Sequence, residues 1–164
     1  MNDADAAQLD ALLAEEDRLV FSHFDHDVAW QLGSRLRAAA LAEHLPVAIS
    51  IRRNGQCLFH VALPGSSADN DGWLLRKAAV AERYRHSSYY VGCKFRAEGR
   101  DFDVDSRLDV GIFAAHGGAF PLIVRTAGCI GTVAVSGLPQ VEDHRFVVQH
   151  LEGFLVESKQ ISGQ

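Results

Sequence analysis

The stretch VAISIRRNGQCLFHVAL, from Val47 to Leu63, decides the fold. Asn54-Gly55 in its middle predicts a two-residue type I′ turn, because both central residues of that turn take positive φ. Apolar residues alternate on each side of the turn, so we expect a β-hairpin. The residues expected on the apolar faces are Val47, Ile49 and Ile51 on the first strand, and Cys57, Phe59, Val61 and Leu63 on the second.

Helices are predicted on both sides of this hairpin, because apolar residues recur at helical spacing between capping residues. The predicted helices are residues 1–17, Asp25 or Asp27 to Pro46, about Trp73 to Arg85, and from Pro139 onward. Short strands are expected at residues 18–24, 119–125 and 129–136. The segment 87–117 is polar and lacks a clear period, and it is predicted to be a long irregular loop.

The predicted order of elements is α-β-α-β-β-α-β-β-α, with two hairpins on either side of a helix. This order does not alternate as βαβ units do, so it favours a mainly antiparallel sheet of about five strands with helices packed on it. The fold class is α+β, an α-β-α layered domain of profilin-like or PAS-like character. A chain of 164 residues without an internal linker fits one domain, residues 1–164.

The composition and charge of the chain argue against several classes of binding partner. The net charge of −5 argues against a nucleic-acid partner, because binding to phosphates needs concentrated Lys and Arg. No apolar run approaches the length of a membrane span, and the acidic N-terminus does not resemble a signal peptide. The three cysteines contain no CxxC spacing, which disfavours a disulfide framework or a structural zinc site. We therefore expect a cytoplasmic protein without nucleic-acid or membrane partners.

Asp143 and His144 open the last predicted helix. Acidic residues in a first turn are stabilised by the positive end of the helix dipole, which by itself explains Asp143. His144 lies on the apolar stripe, so one interpretation is a buried imidazole bonded to a backbone group or a neighbouring acid. The other interpretation is a ligand or proton carrier beside a helix N-terminus that receives an anion.

A second group of candidates surrounds the two late strands. His116 precedes Gly117 and Gly118 in a loop, and it is the first choice for a haem or metal ligand, because glycines would let a flat ligand approach. The alternatives are an exposed histidine and glycines that allow close packing. Lys77, on the third helix, is either a surface residue or a contact for an anionic ligand. A metal site built from His60, His116 and His144 lacks support in the spacing, and no metal is predicted.

Three segments in this order carry a family resemblance: PVAISIRRNGQCLFHVALPGSSADNDGWLLRKAAV (46–80), HGGAFPL (116–122) and GCIGTVAVSGLPQVEDH (128–144). Together they resemble the haem-degrading-domain family, the GlcG/HbpS-like proteins, and in particular its uncharacterised soluble branch. The resemblance implies a layered α-β-α domain, assembly into homo-oligomers, and haem binding or oxidative haem breakdown in some members. It also implies a recurring lysine at the position of Lys77.

Two main hypotheses follow, beside a third, which is a metabolic enzyme that acts on a small acid with Lys77 and Arg76 as anion contacts. The first is a small-molecule-binding domain, with haem or a small anion as the ligand, that uses His116, Gly117, Gly118, Asp143, His144 and Lys77. The second is a non-enzymatic homo-oligomeric assembly or protein-interaction module. The sequence does not assign a reaction: Ser136-Gly137 lacks the flanks of a nucleophile elbow, and no phosphate-binding loop is present.

Overall fold

A computed structural model describes residues 1–161 and contains a five-stranded sheet. The strands lie in the order β1-β4-β5-β2-β3; β1 is parallel to β4, and the other neighbours are antiparallel. The mainly antiparallel sheet predicted from the sequence is therefore confirmed. The strands are β1 Val20–Phe21, β2 Ala48–Arg53, β3 Gln56–Ala62, β4 Ala119–Val124 and β5 Gly128–Ser136.

Helices cover both faces of the sheet. Helices α2 and α6 pack on large apolar residues such as Ile49, Phe120 and Val133. Helix α3 covers the opposite face, and α1, α4 and α5 form a second cluster beside it. The helices are α1 Asp3–Arg18, α2 His26–Ala42, α3 Ala68–Tyr84, α4 Ser88–Ala97, α5 Phe102–Asp105 and α6 Gln140–Ile161. Within residues 1–161, no helix is both long enough and apolar enough to cross a membrane.

The sheet face beneath α3 is lined by small residues. Ala48, Ala119 and Ala134 are buried there against Leu74 and Ala81 of α3. Because alanine side chains are short, the helix backbone can lie close to the strands. A long side chain from α3 can then reach the sheet backbone, and Lys77 ends at the carbonyl of Val135, near the last residue of the central strand β5.

The hairpin forms as predicted around Asn54 and Gly55, whose φ angles are 48° and 83°. The predicted facing of Cys57 is wrong. Ile51 pairs with Phe59 but Arg52 pairs with Cys57, so a β-bulge inserts one extra residue, Leu58, on β3. Because strand faces alternate, the insertion turns Cys57 to solvent, while Leu58 packs against the core.

The prediction of an irregular loop over 87–117 is wrong in its first half. Helix α4 begins after Ser87, whose side chain caps it by accepting from the Tyr90 N–H, and α5 follows. Helix α4 contacts α1, α3, α6 and β4, and seven of its ten residues are buried. Residues 107–117 contain turns but neither helix nor strand. Helix α3 also begins five residues earlier than predicted, at Ala68.

Candidate functional site

A buried ion pair joins α3 to α6. Nζ of Lys77 lies 2.9 Å from Oδ2 of Asp143, and the two side chains are 4% and 1% exposed. Lys77 also donates to the carbonyl of Val135, at 3.2 Å. The Asp143 carboxylate accepts from the backbone N–H groups of Leu138, at 3.0 Å, and Gly137, at 3.4 Å. The polar atoms of this pair are therefore held by several hydrogen bonds at once, as a buried charge requires.

Burial opposes the charges of both partners. It lowers the pKa of Lys77 below its ordinary value, against the neighbouring charge of Asp143. It also raises the pKa of Asp143, against Lys77 and the two backbone donors. The free-energy difference between the ionised pair and the neutral pair is therefore smaller than in water. In such surroundings a lysine gives up a proton more readily.

This pair forms one wall of a cleft of about 250 Å³, called here the Lys77 cleft. The cleft opens between the start of α3, the turn after β5, the start of α6, and the loop that carries His116. The lining residues are Asp69, Asn70, Trp73 and Lys77 from α3, Ser136, Gly137 and Leu138 from the turn, Gln140 and Asp143 from α6, and His116. Most of these side chains carry hydrogen-bonding groups, so the cleft suits a polar ligand.

His116 lies at the rim of the Lys77 cleft and is exposed. Its ring meets the ring of Trp73 edge-on, with the centroids 5.2 Å apart, and the guanidinium of Arg76 lies 4.0 Å from the centre of that tryptophan ring. Partial desolvation lowers the pKa of His116, and the positive charges of Lys77 and Arg96 act in the same direction, while Asp103 opposes them. The lowered pKa favours a neutral imidazole, which can ligate a metal or accept a hydrogen bond.

Gly117 and Gly118 allow the protein's own backbone to pack closely. A Cβ at Gly117 would collide with the carbonyl of Gln140, and one at Gly118 with the carbonyl of Val135. Both residues are buried. The space beside them is occupied by protein rather than left open for a flat ligand, which agrees with the packing interpretation of these glycines.

His144 is turned away from the Lys77 cleft, although it follows Asp143 directly. Its Nε2 lies 2.8 Å from Oε2 of Glu15 on α1, and its ring packs near those of Tyr89 and Phe120. It is 3% exposed. The structure therefore shows the buried imidazole bonded to an acid, and it does not bring His144 together with His116.

The cleft thus contains three of the six residues proposed from the sequence: Lys77, His116 and Asp143. His60 bonds to Asp71 at the surface, and it does not form a three-histidine metal site with His116 and His144. In the described part of the chain, no group of three or more His, Cys, Asp or Glu side chains is placed to share a metal ion.

Sequence reasoning missed Trp73 and Gln140 as parts of this cleft. Trp73 precedes Lys77 by four residues, so helical spacing alone places the two on one face of α3. Gln140 gave no such signal. Its side-chain oxygen accepts from the N–H of Gly117, a contact across 23 residues that only the folded chain reveals.

The fold and the signature segments agree with one family. A family model described as haem degrading protein HbpS-like matches residues 24–152, most of the chain. The protein therefore belongs to the HbpS-like family, and the predicted resemblance is confirmed. The match begins after α1, so the helix that contributes Glu15 lies outside the matched region.

Individual relatives extend this comparison. A UPF0303 protein of Streptomyces avermitilis is 58% identical over 144 residues, which cover 88% of this chain and 88% of the relative. The solved structure of the Ybr137w protein is similar with a TM-score of 0.85 and 37% identity, over 92% of this chain and 88% of that chain. A PduOC–haem complex has a TM-score of 0.65 at 20% identity, over 81% and 94% of the two chains, which shows a shared fold.

Proposed function

We propose that this protein is a small-molecule-binding domain and that its ligand occupies the Lys77 cleft. The observation that carries the proposal is the hydrogen-bonding state of Lys77. An ammonium group has three N–H donors, and Nζ of Lys77 has two acceptors among residues 1–161, Val135 and Asp143. The same side chain lines the cleft, so the remaining donor is available to a ligand.

The size and lining of the cleft define the ligand class. Its volume of about 250 Å³ is smaller than the roughly 300–1,000 Å³ of sites that enclose drug-sized ligands. The ligand that fits is a small organic molecule with a carboxylate or carbonyl oxygen for Lys77. Trp73 offers an aromatic surface, and Asn70 and Gln140 offer amide groups for a second polar end.

Thermal-shift and calorimetric titrations with formate, glyoxylate, pyruvate and oxalate test this proposal. We expect a saturable rise in the unfolding temperature with at least one of these acids. The double variant Lys77→Met/Asp143→Leu, which removes the pair without leaving a lone buried charge, should lose it. Lys94→Met, at an exposed position, is the matched control. Equal binding by the double variant would place the ligand elsewhere.

Haem is the second candidate ligand, supported by the family and by the position of His116. The Lys77 cleft is too small to enclose a porphyrin, but His116 also lines a cleft of about 420 Å³ beside α4 and α5, whose lining includes Arg96 and Arg100 together with Asp101 and Asp103. These residues fit an iron ligand and partners for the propionates. Bound haem would supply iron for oxygen chemistry. His116 would hold that iron.

A haemin titration followed at the Soret band tests this candidate. We expect a saturable shift in the wild-type protein that His116→Ala abolishes. His144→Ala should retain the shift, because His144 is buried against Glu15 and lines neither cleft. A featureless, non-saturating rise in all three proteins would contradict haem binding.

A homo-oligomer is also proposed, because apolar side chains are exposed on α3 and in the loop that precedes β4. Leu75, Val110 and Ile112 are 54%, 51% and 53% exposed. Arg76 donates to the carbonyl of Val110, which holds the loop of Val110 and Ile112 against α3. Light scattering on the wild type and on Leu75→Glu tests this assembly: we expect the variant to dissociate, and an unchanged mass would exclude this surface as the interface.

The cysteines support a cytoplasmic location. Cys57, Cys93 and Cys129 are free, and burial raises the pKa of the Cys93 and Cys129 thiols. Protonated, unpaired thiols persist in a reducing compartment. Titration of free thiols in protein purified under nitrogen should give three per chain.

A further inference from the structure

We propose that Lys77 binds its ligand covalently, and that its Nζ forms an imine with a small aldehyde or 2-oxo acid in the Lys77 cleft. This inference rests on the proposed function, because it assigns the ligand class and the bond for the same cleft. Three features of the structure carry it: the isolation of this amine, its proton acceptor, and the shape of the cleft.

The first feature is the isolation of Lys77 among the amines of the chain. The sequence contains three lysines. Lys94 and Lys159 are exposed, whereas Lys77 is 3% exposed and its side chain lines a cavity. An ammonium in water is strongly hydrated and carries a proton that blocks attack on a carbonyl. A desolvated lysine gives up that proton more readily, and the pKa of Lys77 is lowered by burial, as this role requires.

The second feature is the proton acceptor. Oδ2 of Asp143 lies 2.9 Å from Nζ of Lys77, within the distance for direct proton transfer. The carboxylate takes one ammonium proton, and the neutral amine then attacks the carbonyl carbon to form a carbinolamine. Asp143 then returns its proton to the carbinolamine oxygen, which leaves as water as the protonated C=N bond forms. The sum is one ammonium group and one carbonyl compound going to one protonated imine and one water, with no oxidant or reductant.

The third feature is the shape of the cleft around Nζ. A volume of about 250 Å³ admits a carbonyl compound of a few heavy atoms. Asn70 and Gln140 also line the cleft, and their side-chain oxygens already accept from Ser67 and Gly117, so their NH₂ groups can hold the far end of an oxo acid. The positions of Lys77 and Asp143 are fixed by the hydrogen bonds to Val135 and Leu138, so the reacting groups are already in place before the ligand enters.

The experiment traps the imine in the wild-type protein. The protein is incubated at neutral pH with glyoxylate, or separately with pyruvate, and then reduced with borohydride, which converts the imine to a stable secondary amine. Peptide mapping by mass spectrometry reads the modification at each lysine. Lys94, Lys159 and the N-terminal amine are controls inside the same molecule, and the double variant Lys77→Met/Asp143→Leu is the control for the cleft.

We expect the reduced adduct at Lys77 at several times the extent seen at Lys94 and Lys159, and saturation of the Lys77 signal with rising glyoxylate or pyruvate. Adducts confined to the exposed lysines or the N-terminus overturn the proposal. The calorimetric titration separates the two levels of inference. If binding is saturable and needs Lys77 but no reducible adduct forms, the proposed function stands and the imine proposal is rejected. Neither binding nor an adduct overturns both.

Discussion

Lys77 and Asp143 are separated by 66 residues in sequence, yet their charged atoms lie 2.9 Å apart with almost no solvent contact. The pair connects α3, which packs on one face of the sheet, to the first turn of α6, which packs on the other face. One contact therefore ties two layers of the fold together and forms the wall of the candidate site. Stability and binding depend on the same two side chains, and the variants must be chosen to separate them.

Removing only one member of this pair should be strongly destabilising. Lys77→Met leaves the Asp143 carboxylate buried without its cation, and a broken buried pair of this kind costs about 3–5 kcal/mol of unfolding free energy. Lys77→Met/Asp143→Leu should recover part of that loss, because it removes the lone charge but leaves the N–H groups of Leu138 and Gly137 without their acceptor. Urea denaturation of both variants, with Lys94→Met as a surface control, measures the difference. Equal loss in the single and double variants would show that the charges are not coupled.

Glu15 should hold α1 to the body of the protein through His144. Glu15→Ala removes the partner at 2.8 Å and leaves a buried ring nitrogen without it, which we expect to cost about 1–3 kcal/mol. Hydrogen exchange should accelerate in α1 more than in α2. Glu152→Ala is the matched control, because it breaks the exposed Arg18–Glu152 pair, for which about 0–1 kcal/mol is expected. Similar effects of the two substitutions would contradict the special role of Glu15.

The Lys77–Asp143 and Glu15–His144 contacts also show what could not be predicted from the sequence. The hairpin was predictable because Asn54-Gly55 and the alternation around it are local signals, and the same holds for the helix that follows Pro139. The burial of His144 followed from its place on an apolar stripe. Its partner Glu15 did not follow, because it lies 129 residues away on a separate helix. The same is true of Lys77. Helical spacing gives the face of α3 on which it lies, but only the structure, in which α3 lies close to the alanines of the sheet, shows that it is buried.

The two wrong local predictions have local physical causes. The bulge at Leu58 breaks strict alternation by one residue, and a period-two pattern cannot show where such an insertion occurs. Helix α4 is buried on several sides, so that every residue from Ser88 to Cys93 is buried, and Gly92 weakens the helical signal in the sequence. That glycine is required by packing, because a Cβ there would collide with the carbonyl of Ala115.

His150 should make the protein less stable as the pH falls. Burial and the nearby charge of Arg35 lower its pKa below the ordinary 6.5, with Glu43 in opposition. Between the folded pKa and 6.5 the unfolded chain binds more protons, so the unfolding free energy decreases on acidification through that window. His150→Gln should flatten this dependence in urea denaturation from pH 7.5 to 5. His26→Gln, at an exposed position, controls for the loss of an imidazole, and an unchanged slope in His150→Gln would contradict the assignment.

Gly118 and Gly72 should respond to alanine in opposite directions. Gly118 has a φ of +132°, and an added Cβ would meet Nζ of Lys77 at 2.8 Å and collide with the carbonyl of Val135. Backbone strain of this kind costs about 1–3 kcal/mol, and the displaced ammonium should also abolish ligand binding. Gly72 lies inside α3 with nothing within 4 Å of the added atom, so Gly72→Ala should stabilise the helix by up to about 1 kcal/mol. Thermal unfolding with and without glyoxylate measures both effects, and a Gly118→Ala protein that binds normally would separate this glycine from the site.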